Sequence, residues 1–524
     1  MDQSDASTVA DGKVDTETPW VDTVLQWLTP RLQQHAESLM LLLLLILGFW
    51  TRFYRIAWPP ETVFDEVHFA SFAHLYLNRS YFFDIHPPLA KLTLAAVAKV
   101  LRDVPNRDWY KESSYPPESR YYVMRGCAAF FGALLPAVTY LVARKMRLSR
   151  AAAGLAAFFV LFDMLNVIEA RHILTDSQLI FYCALTMLAF LYLWEGPPAS
   201  RQRRWRSVLA GLASGAALSV KWTTLVVPGL FGLESVAASV FLEHPLEWSN
   251  CFLVGAVAMM LYVALWYVHF RVLIFSGEGD AFMSDEFQRT LIGNENYDAN
   301  ATKPNFFKLV WQLNAEMYRA NKAILDEHEW QSKWITWPYT GRGLLYWNRW
   351  QEGSIDADGK VLEPGTAMQI YLLGNPLLFW MTLAVVLLTI VALPFALRWL
   401  AHARHRPAAR SRIQQHLRVA VFLLLGYALG LLPYAPIARS TFIYHYLPPL
   451  LFAELLFAHM VVDGPWVPEV IKPAQLGTLI IVVFWCFWYF RAWVYGHISL
   501  SADDHEHMRW LKTKNATGAN KGWY

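Results

Sequence analysis

Charged residues and cysteines are scarce in this chain of 524 residues. Only 17% of the residues are charged, against about 25% in a typical soluble domain, while 55% are hydrophobic. The formal net charge of +3 is too small to indicate a nucleic-acid partner. The four cysteines lie in apolar stretches, so no disulfide framework is expected. This composition excludes an ordinary soluble domain, and repeated apolar runs of about 18 residues or more indicate a polytopic membrane protein.

Eleven stretches are apolar and long enough to be candidate membrane spans, which predicts an all-α, polytopic fold with about eleven transmembrane helices. They lie at about 38–57, 121–143, 151–169, 176–194, 207–221, 223–242, 250–275, 370–397, 417–436, 443–462 and 475–495. A transporter or lipid flippase is the non-enzyme alternative, and it predicts charges near the middle of several spans. Here the charges concentrate at the span ends, and no inverted pair of broken helices is visible.

Basic residues cluster in three short connections between these spans. They are Arg144, Lys145, Arg147 and Arg150, then Arg201, Arg203, Arg204 and Arg206, and finally Arg398, Arg404, Arg406, Arg410 and Arg412. The positive-inside rule makes this side of the membrane cytosolic. The opposite, external side then receives two long loops, at about 58–120 and 276–369.

This topology divides the chain into five segments. The first apolar run has no small-residue cleavage site, so residues 1–37 are expected to form a cytosolic tail. The other segments are a membrane module at 38–275 that includes the first external loop, the second external loop at 276–369, membrane helices at 370–495 and an external tail at 496–524.

An acidic pair, Asp65 and Glu66, opens a helical pattern in the first external loop. Adjacent helix residues point about 100° apart, so the two carboxylates cannot both face one atom. A division of roles between them is therefore expected. The alternative is that both acids merely favour the positive end of the helix dipole.

A His86-Pro87-Pro88 corner follows the acidic pair, and the prolines force the preceding backbone into an extended conformation. Residues 89–101 then form an amphipathic pattern that is too short to span a bilayer. Such a helix lies in the interface or re-enters it. A polar site beside it suits a substrate with a lipid tail and a polar head.

Further polar residues stand at the external ends of the spans: Arg125, Arg171, Asp176, Lys221, Arg439 and His445. Charge at membrane depth is costly, so each is a hypothesis for a functional residue. The alternative for each is interfacial snorkelling or a structural ion pair. Asp65, Glu66 and His68 match no strong metal motif, and neither GxGxxG nor a Walker sequence occurs, so no metal or cofactor is expected.

The segment FDEVHFASFAHLYLNRSYFFDIHPPLAKL, residues 64–92, resembles the first luminal loop of the protein O-mannosyltransferases through the order DEVHF, YFFDIHPP and PxxKL. The resemblance continues in RYYVMRGCAAFFG (120–132), EARHILTDSQLIFY (169–182), VKWTTL (220–225), YVHFRVLIFSGEGDAFMSDEFQ (267–288), HEWQSKWITWP (328–338) and RSTFIYHYLPPLLFA (439–453). It covers nearly the whole chain from about residue 38.

This resemblance implies a GT-C fold whose site on the external face moves mannose from a polyprenyl or dolichyl phosphate to Ser or Thr of secreted or membrane proteins, including proteins met during their export. The second external loop, of about 90 residues, is too short for the β-trefoil MIR domain of the eukaryotic members. The chain is thus similar to a MIR-less bacterial branch, with the site facing outward from the plasma membrane, or into the ER lumen in a eukaryote. The alternative is a GT-C transferase with a lipid or glycan acceptor.

The resemblance also implies roles for the polar residues. Because a lipid phosphate leaves without a proton, the reaction needs one base, cations for the phosphate and good positioning. Asp65 is expected to take the proton of the acceptor hydroxyl in a single inverting displacement, and Glu66 to hold the acceptor or order the loop. Arg125 and Lys221 are expected at the phosphate. The other candidates for substrate binding are His86, which would shape the site, and Arg171, Asp176, Arg439 and His445.

Overall fold

The computed structural model describes residues 19–103, 114–236, 246–355, 361–363 and 365–511. The chain divides into two units, residues 1–43 and residues 44–524. The described part of the first unit, from Pro19, is helical. Two expected segments end outside the described residues: the span at 223–242 and the tail at 496–524.

The described part of the chain is mostly helical. Its α-helices are α1 (Pro19–Phe53), α2 (Glu66–Asn78), α3 (Leu89–Val100), α4 (Tyr121–Lys145), α5 (Arg150–Phe162), α6 (Met164–Glu169), α7 (Asp176–Trp194), α8 (Arg201–Leu218), α9 (Val226–Val236), α10 (Trp248–Val272), α11 (Asp285–Gln288), α12 (Phe306–Ala323), α13 (Pro376–His402), α14 (Pro407–Leu431), α15 (Leu447–Val462), α16 (Lys472–Tyr489), α17 (Arg491–Tyr495) and α18 (Ala502–His507). Every predicted span contains one of these helices, which confirms the helical polytopic fold.

Among the described residues, eight helices are long and apolar enough to cross a membrane, against the eleven spans expected. They belong to α1, α4, α7, α10, α13, α14, α15 and α16. The predicted span at 151–169 is instead two helices, α5 and α6. Asp163 separates them because its backbone is extended and its side chain accepts the backbone N–H of Asn166, which caps α6.

The most buried of these helices is α15, which packs against α14, α5 and α13. Glu454, at the middle of α15, is an exception to the concentration of charge at helix ends. It is fully buried, and neither carboxyl oxygen has a hydrogen-bond partner among the described residues. By contrast, α10 and α16 leave most of their surface uncovered, as expected for helices at the lipid boundary.

A small antiparallel sheet joins the second external loop to the end of the chain. Its strand order is β1 (Leu344–Gln351), β4 (Thr366–Leu372) and β5 (Leu500–Ser501), and β2 (Ser354–Ile355) pairs with β3 (Val361–Glu363). The sequence predicted a membrane helix from residue 370, but residues 370–372 pair with β1 and the helix begins at Pro376. This boundary was wrong because a short buried strand and the start of an apolar helix have the same hydropathy.

The two external loops pack directly on each other. The backbone N–H of Tyr81 donates to the carbonyl of Phe275 at 2.8 Å. A Cβ on Gly277 would lie 2.1 Å from the Tyr81 carbonyl oxygen, so only glycine permits this approach. The Asp280 carboxylate closes the turn by accepting from the backbone N–H of Gly277 and the side chain of Asn294. The GEGD turn therefore fixes the second loop against the first.

Candidate functional site

The two adjacent acids have opposite environments, and Glu66 is the structural one. Its side chain is fully buried, and it accepts from Arg125 Nε at 2.7 Å and Nη2 at 2.8 Å. It also accepts from the Tyr115 hydroxyl and from the backbone N–H groups of Val63 and Ile173, at 2.8–2.9 Å. Burial alone would raise the pKa of Glu66, but the Arg125 guanidinium outweighs it and holds the pKa well below the ordinary value.

Arg125 is equally committed to protein groups. Its Nη1 donates to the carbonyl of Pro59 at 2.8 Å and its Nη2 to that of Glu61 at 2.9 Å, while the guanidinium lies 4.8 Å from the ring centroid of Tyr121. The expectation that Arg125 binds a phosphate is therefore not supported by its geometry. The same contacts leave Glu66 no free oxygen for an acceptor and favour its other predicted role, the ordering of the loop.

Arg171 is also engaged by protein groups. Its Nη1 donates to the carbonyls of Arg52 and Tyr54 at the end of α1, at 3.0 and 2.6 Å. Its guanidinium lies 4.6 Å from the ring centroid of Tyr495. The side chain is 1% exposed, so Arg171 caps the last carbonyls of α1 and the expectation of phosphate binding is not supported.

Asp65 occupies the N-cap position of α2 but makes no side-chain capping bond. Its half-buried carboxylate forms no hydrogen bond or ion pair with a described residue, although an N-cap aspartate ordinarily accepts from the first helical turn. Burial raises the pKa of Asp65 above its ordinary value, while His68 and Lys221 act in the opposite direction. An acid held in this way is available to accept a proton.

A second ion pair faces Asp65 from the start of α7. Lys221 Nζ lies 2.9 and 2.7 Å from the two carboxyl oxygens of Asp176, and both side chains are buried. Lys221 also stands 5.4 Å from the ring centroid of Tyr444. Close by, the hydroxyl of Tyr346 donates to the buried carboxylate of Glu169.

Arg439 is the cation of this region that is least committed. Its Nη1 donates to the side-chain oxygen of Asn321 at 2.8 Å, and it forms no ion pair with a described carboxylate. The Asn321 amide donates in turn to the backbone carbonyl of Ile85, next to His86. Arg439 is thereby held beside the His86 corner with most of its donors available.

Two histidines complete the region. Lys91 Nζ donates to the backbone carbonyl of His86 at 2.7 Å, and burial together with Lys221 holds the pKa of His86 well below its ordinary value. His86 is therefore neutral, and its expected role in shaping the site stays a prediction. The His445 ring stacks on Trp337, with centroids 5.9 Å apart, and on Tyr444, with centroids 4.5 Å apart. Lys91 itself is buried, and its ammonium group pairs with the Asp84 carboxylate.

A cavity of about 1170 Å³ opens beside this region. It lies between the 325–342 segment and the 434–441 segment, and it is lined by Leu325, Glu327, His328, Glu329, Gln331, Ser332, Lys333, Trp334, Arg342, Tyr434, Ala435, Ile437, Ala438, Arg439, Ser440 and Thr441. His328 and Arg439 both line the cavity, and Arg439 also contacts Asn321 beside the His86 corner. The walls are mostly polar, which suits an extended peptide.

The sequence did not single out three groups of this site. Glu169 carried a signal, since it is an acid at the end of an apolar span, as Asp176 is. Tyr346 and Asn321 carried none, because they come from a strand and a helix of the second external loop that only tertiary packing brings here. Within the described residues, no three His, Cys, Asp or Glu side chains are grouped so as to hold a metal ion.

Two family models match this chain. Residues 42–274 match the model of the dolichyl-phosphate-mannose-protein mannosyltransferases, and residues 306–514 match that of the C-terminal four-TMM region of protein-O-mannosyltransferases. Dolichyl-phosphate-mannose–protein mannosyltransferase 4 of Schizosaccharomyces pombe is 34% identical over 296 residues, which cover 52% of this chain and 37% of that protein. The match thus spans little more than a third of the length of this curated relative.

Two solved structures share the fold. One is the S. cerevisiae protein O-mannosyltransferase Pmt1-Pmt2 complex bound to the sugar donor, with a TM-score of 0.78, 18% identity and coverage of 91% of this chain and 92% of that one. The other is an Archaeoglobus fulgidus oligosaccharyltransferase, with a TM-score of 0.51, 11% identity and coverage of 92% and 59%. Both likenesses show a membrane bundle of the GT-C type.

Proposed function

Because the chain belongs to the protein O-mannosyltransferase family, we propose that it transfers mannose from a polyprenyl (dolichyl-type) phosphate donor to Ser or Thr hydroxyls of proteins. The observation that carries the proposal is the contrast between the adjacent acids. The Glu66 carboxylate accepts five hydrogen bonds, whereas the Asp65 carboxylate accepts none from the described residues. One free carboxylate is what this reaction requires.

The reaction proceeds as one inverting displacement. The acceptor oxygen bonds to the anomeric carbon while the bond from that carbon to the phosphate oxygen breaks, and the polyprenyl phosphate leaves with the electron pair. Asp65 receives the hydroxyl proton late, when the oxygen has begun to bond, because a serine hydroxyl is a far weaker acid than a carboxyl group. The proton then passes from Asp65 to water.

The departing phosphate needs a cation in addition to the base. We assign this role to Arg439, supported by its lack of a carboxylate partner in the described part of the chain, with Lys221 as the second cation. Asp176 holds Lys221 in place from α7. Arg125 and Arg171 are left out of this assignment, because Glu66 and protein carbonyls occupy the Arg125 guanidinium and carbonyls at the end of α1 occupy Nη1 of Arg171.

The site faces the external side of the membrane in this proposal. Tyr121, at one end of α4, stacks on Tyr115 beside Glu66, whereas Lys145, at the other end, lies among the basic connections. With about 1.5 Å of rise per residue, α4 separates the two ends by a full bilayer core. The external side is the outside of a bacterial plasma membrane or the lumen of the ER.

The direct test is transfer from labelled polyprenyl-phosphate-mannose to a Ser/Thr-rich peptide by membranes that contain the full chain. We expect a mannosyl-peptide, and none from a matched peptide with Ala in place of every Ser and Thr. Label that appears in a lipid or glycan while the peptide stays unlabelled would refute the protein acceptor and favour the alternative GT-C transferase.

The rate of transfer is expected to fall in acid. Because burial raises the pKa of Asp65, the base form is lost as the pH falls through a value above the ordinary aspartate pKa of about 3.9. The acid limb of kcat/KM should therefore have its midpoint above about pH 4. A series of initial rates across pH 4 to 8 measures it, and a rate that stays constant down to pH 4 would contradict Asp65 as the base.

Arg439→Gln is expected to lower kcat/KM for the donor by about tenfold or more, because a charge-assisted hydrogen bond to phosphate is lost. The effect should appear in the KM for the donor and in kcat, with the KM for the peptide changed less. Arg439→Lys retains a charge and should recover part of the loss. Arg319→Gln, an exposed arginine of α12, is the matched control. Equal kinetics for Arg439→Gln and this control would contradict the assignment.

A further inference from the structure

A second polar pocket lies at the end of the bundle opposite Asp65. It is a cavity of about 400 Å³ at the Lys145 end of α4, enclosed by the ends of α4, α7 and α8 and by α14. Four of its lining residues are basic, namely Lys145, Arg147, Arg203 and Arg418, and one, Glu195, is acidic. The proposed reaction uses none of them.

Arg203 is the central feature of this pocket. Its side chain is 1% exposed, and neither Nε nor Nη2 has a hydrogen-bond partner among the described residues. Its Nη1 stands 4.0 Å from a carboxyl oxygen of Glu247, which is itself 40% exposed. A buried guanidinium with unused donors is costly unless an anion completes its contacts.

The positive-inside rule does not account for this burial. Exposed arginines satisfy that rule, and Arg201 and Arg204, on the same helix, are exposed. The nearby Lys145 already has a partner, since its Nζ lies 2.8 Å from Glu195. Arg147 is exposed and forms no ion pair with a described carboxylate. Among the described residues, Arg147 has no carboxylate within ion-pair contact, and Arg203 has only Glu247, at 4.0 Å.

The pocket also has an apolar wall. Leu191 and Trp194 of α7 and Phe422 of α14 line it, and Phe422 lies about four turns into α14. A second cavity of about 400 Å³ shares Met146 and Arg147 with the first. A cationic rim with an apolar wall at the end of membrane helices matches a phosphate headgroup and its attached chain.

We propose that this basic pocket binds a phosphate group, with Arg203 and Arg147 as its ligands, and that the group belongs to an anionic phospholipid. A soluble phosphate ester offers the same chemistry to the two guanidinium groups, and the apolar wall favours the lipid. The site is distinct from the transfer site, because α4 separates them along its whole length of 25 residues.

The test measures lipid retained by the purified full chain in nanodiscs that contain phosphatidylglycerol and phosphatidylcholine, by native mass spectrometry. Wild type should retain phosphatidylglycerol in preference to phosphatidylcholine. Arg203→Gln should lower that retention by about tenfold, whereas Arg204→Gln, its exposed neighbour, should leave it unchanged. Displacement of the lipid by millimolar inorganic phosphate would assign the same site to a soluble phosphate ester.

Arg147→Gln keeps the test informative if Arg203→Gln does not fold, since Arg147 is exposed at the rim of both cavities. It should also lower retention of phosphatidylglycerol. Equal retention of the lipid by wild type, Arg147→Gln and any folded Arg203→Gln protein overturns the proposal. The proposal is also overturned if the wild-type protein neither prefers phosphatidylglycerol nor binds phosphate. The readout needs no transferase activity, so its outcome is independent of the proposed function.

Discussion

Asp65→Asn is expected to lower the rate of mannosyl transfer by more than about 100-fold, because a carboxamide cannot accept the hydroxyl proton. The protein should still fold, since the Asp65 carboxylate makes no hydrogen bond or ion pair with a described residue. Its affinity for the donor should change little. Initial rates with saturating donor and peptide, divided by the amount of folded protein, measure the effect.

The control for this substitution is Asp285→Asn, which makes the same chemical change at an exposed position of the second external loop. It should transfer at the wild-type rate. If correctly inserted Asp65→Asn protein keeps near-normal activity, Asp65 is not the base. Glu169 would then be the next candidate, because it is a buried acid of the same region.

Glu66→Ala is expected to have its effect on stability. The substitution leaves the Arg125 guanidinium buried without its carboxylate, and breaking such a pair costs about 3–5 kcal/mol. Most of the protein should fail to reach the folded state, and the remainder should unfold at a markedly lower temperature. Thermal unfolding in detergent and the yield of monodisperse protein measure this.

Comparison of Glu66→Ala with Asp65→Asn distinguishes a role in stability from a role in the reaction. Glu66→Ala protein that does fold should retain substantial activity per folded molecule, whereas folded Asp65→Asn protein should retain almost none. A Glu66→Ala protein that is as stable as wild type but inactive would show that Glu66 acts in the reaction. Lys308→Ala, which removes an exposed ion pair with Glu286, should have little effect on stability.

The contribution of Glu66 to stability should also depend on pH in a defined direction. Its folded-state pKa is depressed, so the contribution is complete above the unfolded-state pKa of about 4.3. It is lost as the pH falls further through the folded-state pKa. The difference in unfolding temperature between wild type and Glu66→Ala should therefore persist down to about pH 4.

Several features of the fold followed directly from local sequence. The helical membrane class, helix α2 after Asp65 and helix α3 after the His86 corner were all predicted and are confirmed. Each depends on hydropathy and residue type within a window of a few turns. The strand at Thr366–Leu372 was missed because its buried side chains resemble the start of a membrane helix.

The site was harder to predict because its charged side chains pair with residues that are distant in the sequence. From the sequence, Arg125 was expected at the phosphate, ahead of Arg439. The structure distinguishes them: Glu66 lies 59 residues from Arg125 and pairs with it, whereas the one side-chain hydrogen bond of Arg439 to a described residue goes to Asn321. Hydropathy and charge patterns contain no information about which cation is already neutralised.

The sequence by itself determined the class of this protein, a polytopic membrane protein that resembles one enzyme family. It also indicated that an acidic pair and several cations lie on one side of the bilayer. Tertiary structure alone decided which of these charges have partners: Glu66 is paired with Arg125, whereas the Asp65 carboxylate has no hydrogen bond from a described residue, which is why we propose it as the base. The physical reason is that a charge in a protein takes its properties from burial and from its partners, and packing supplies both.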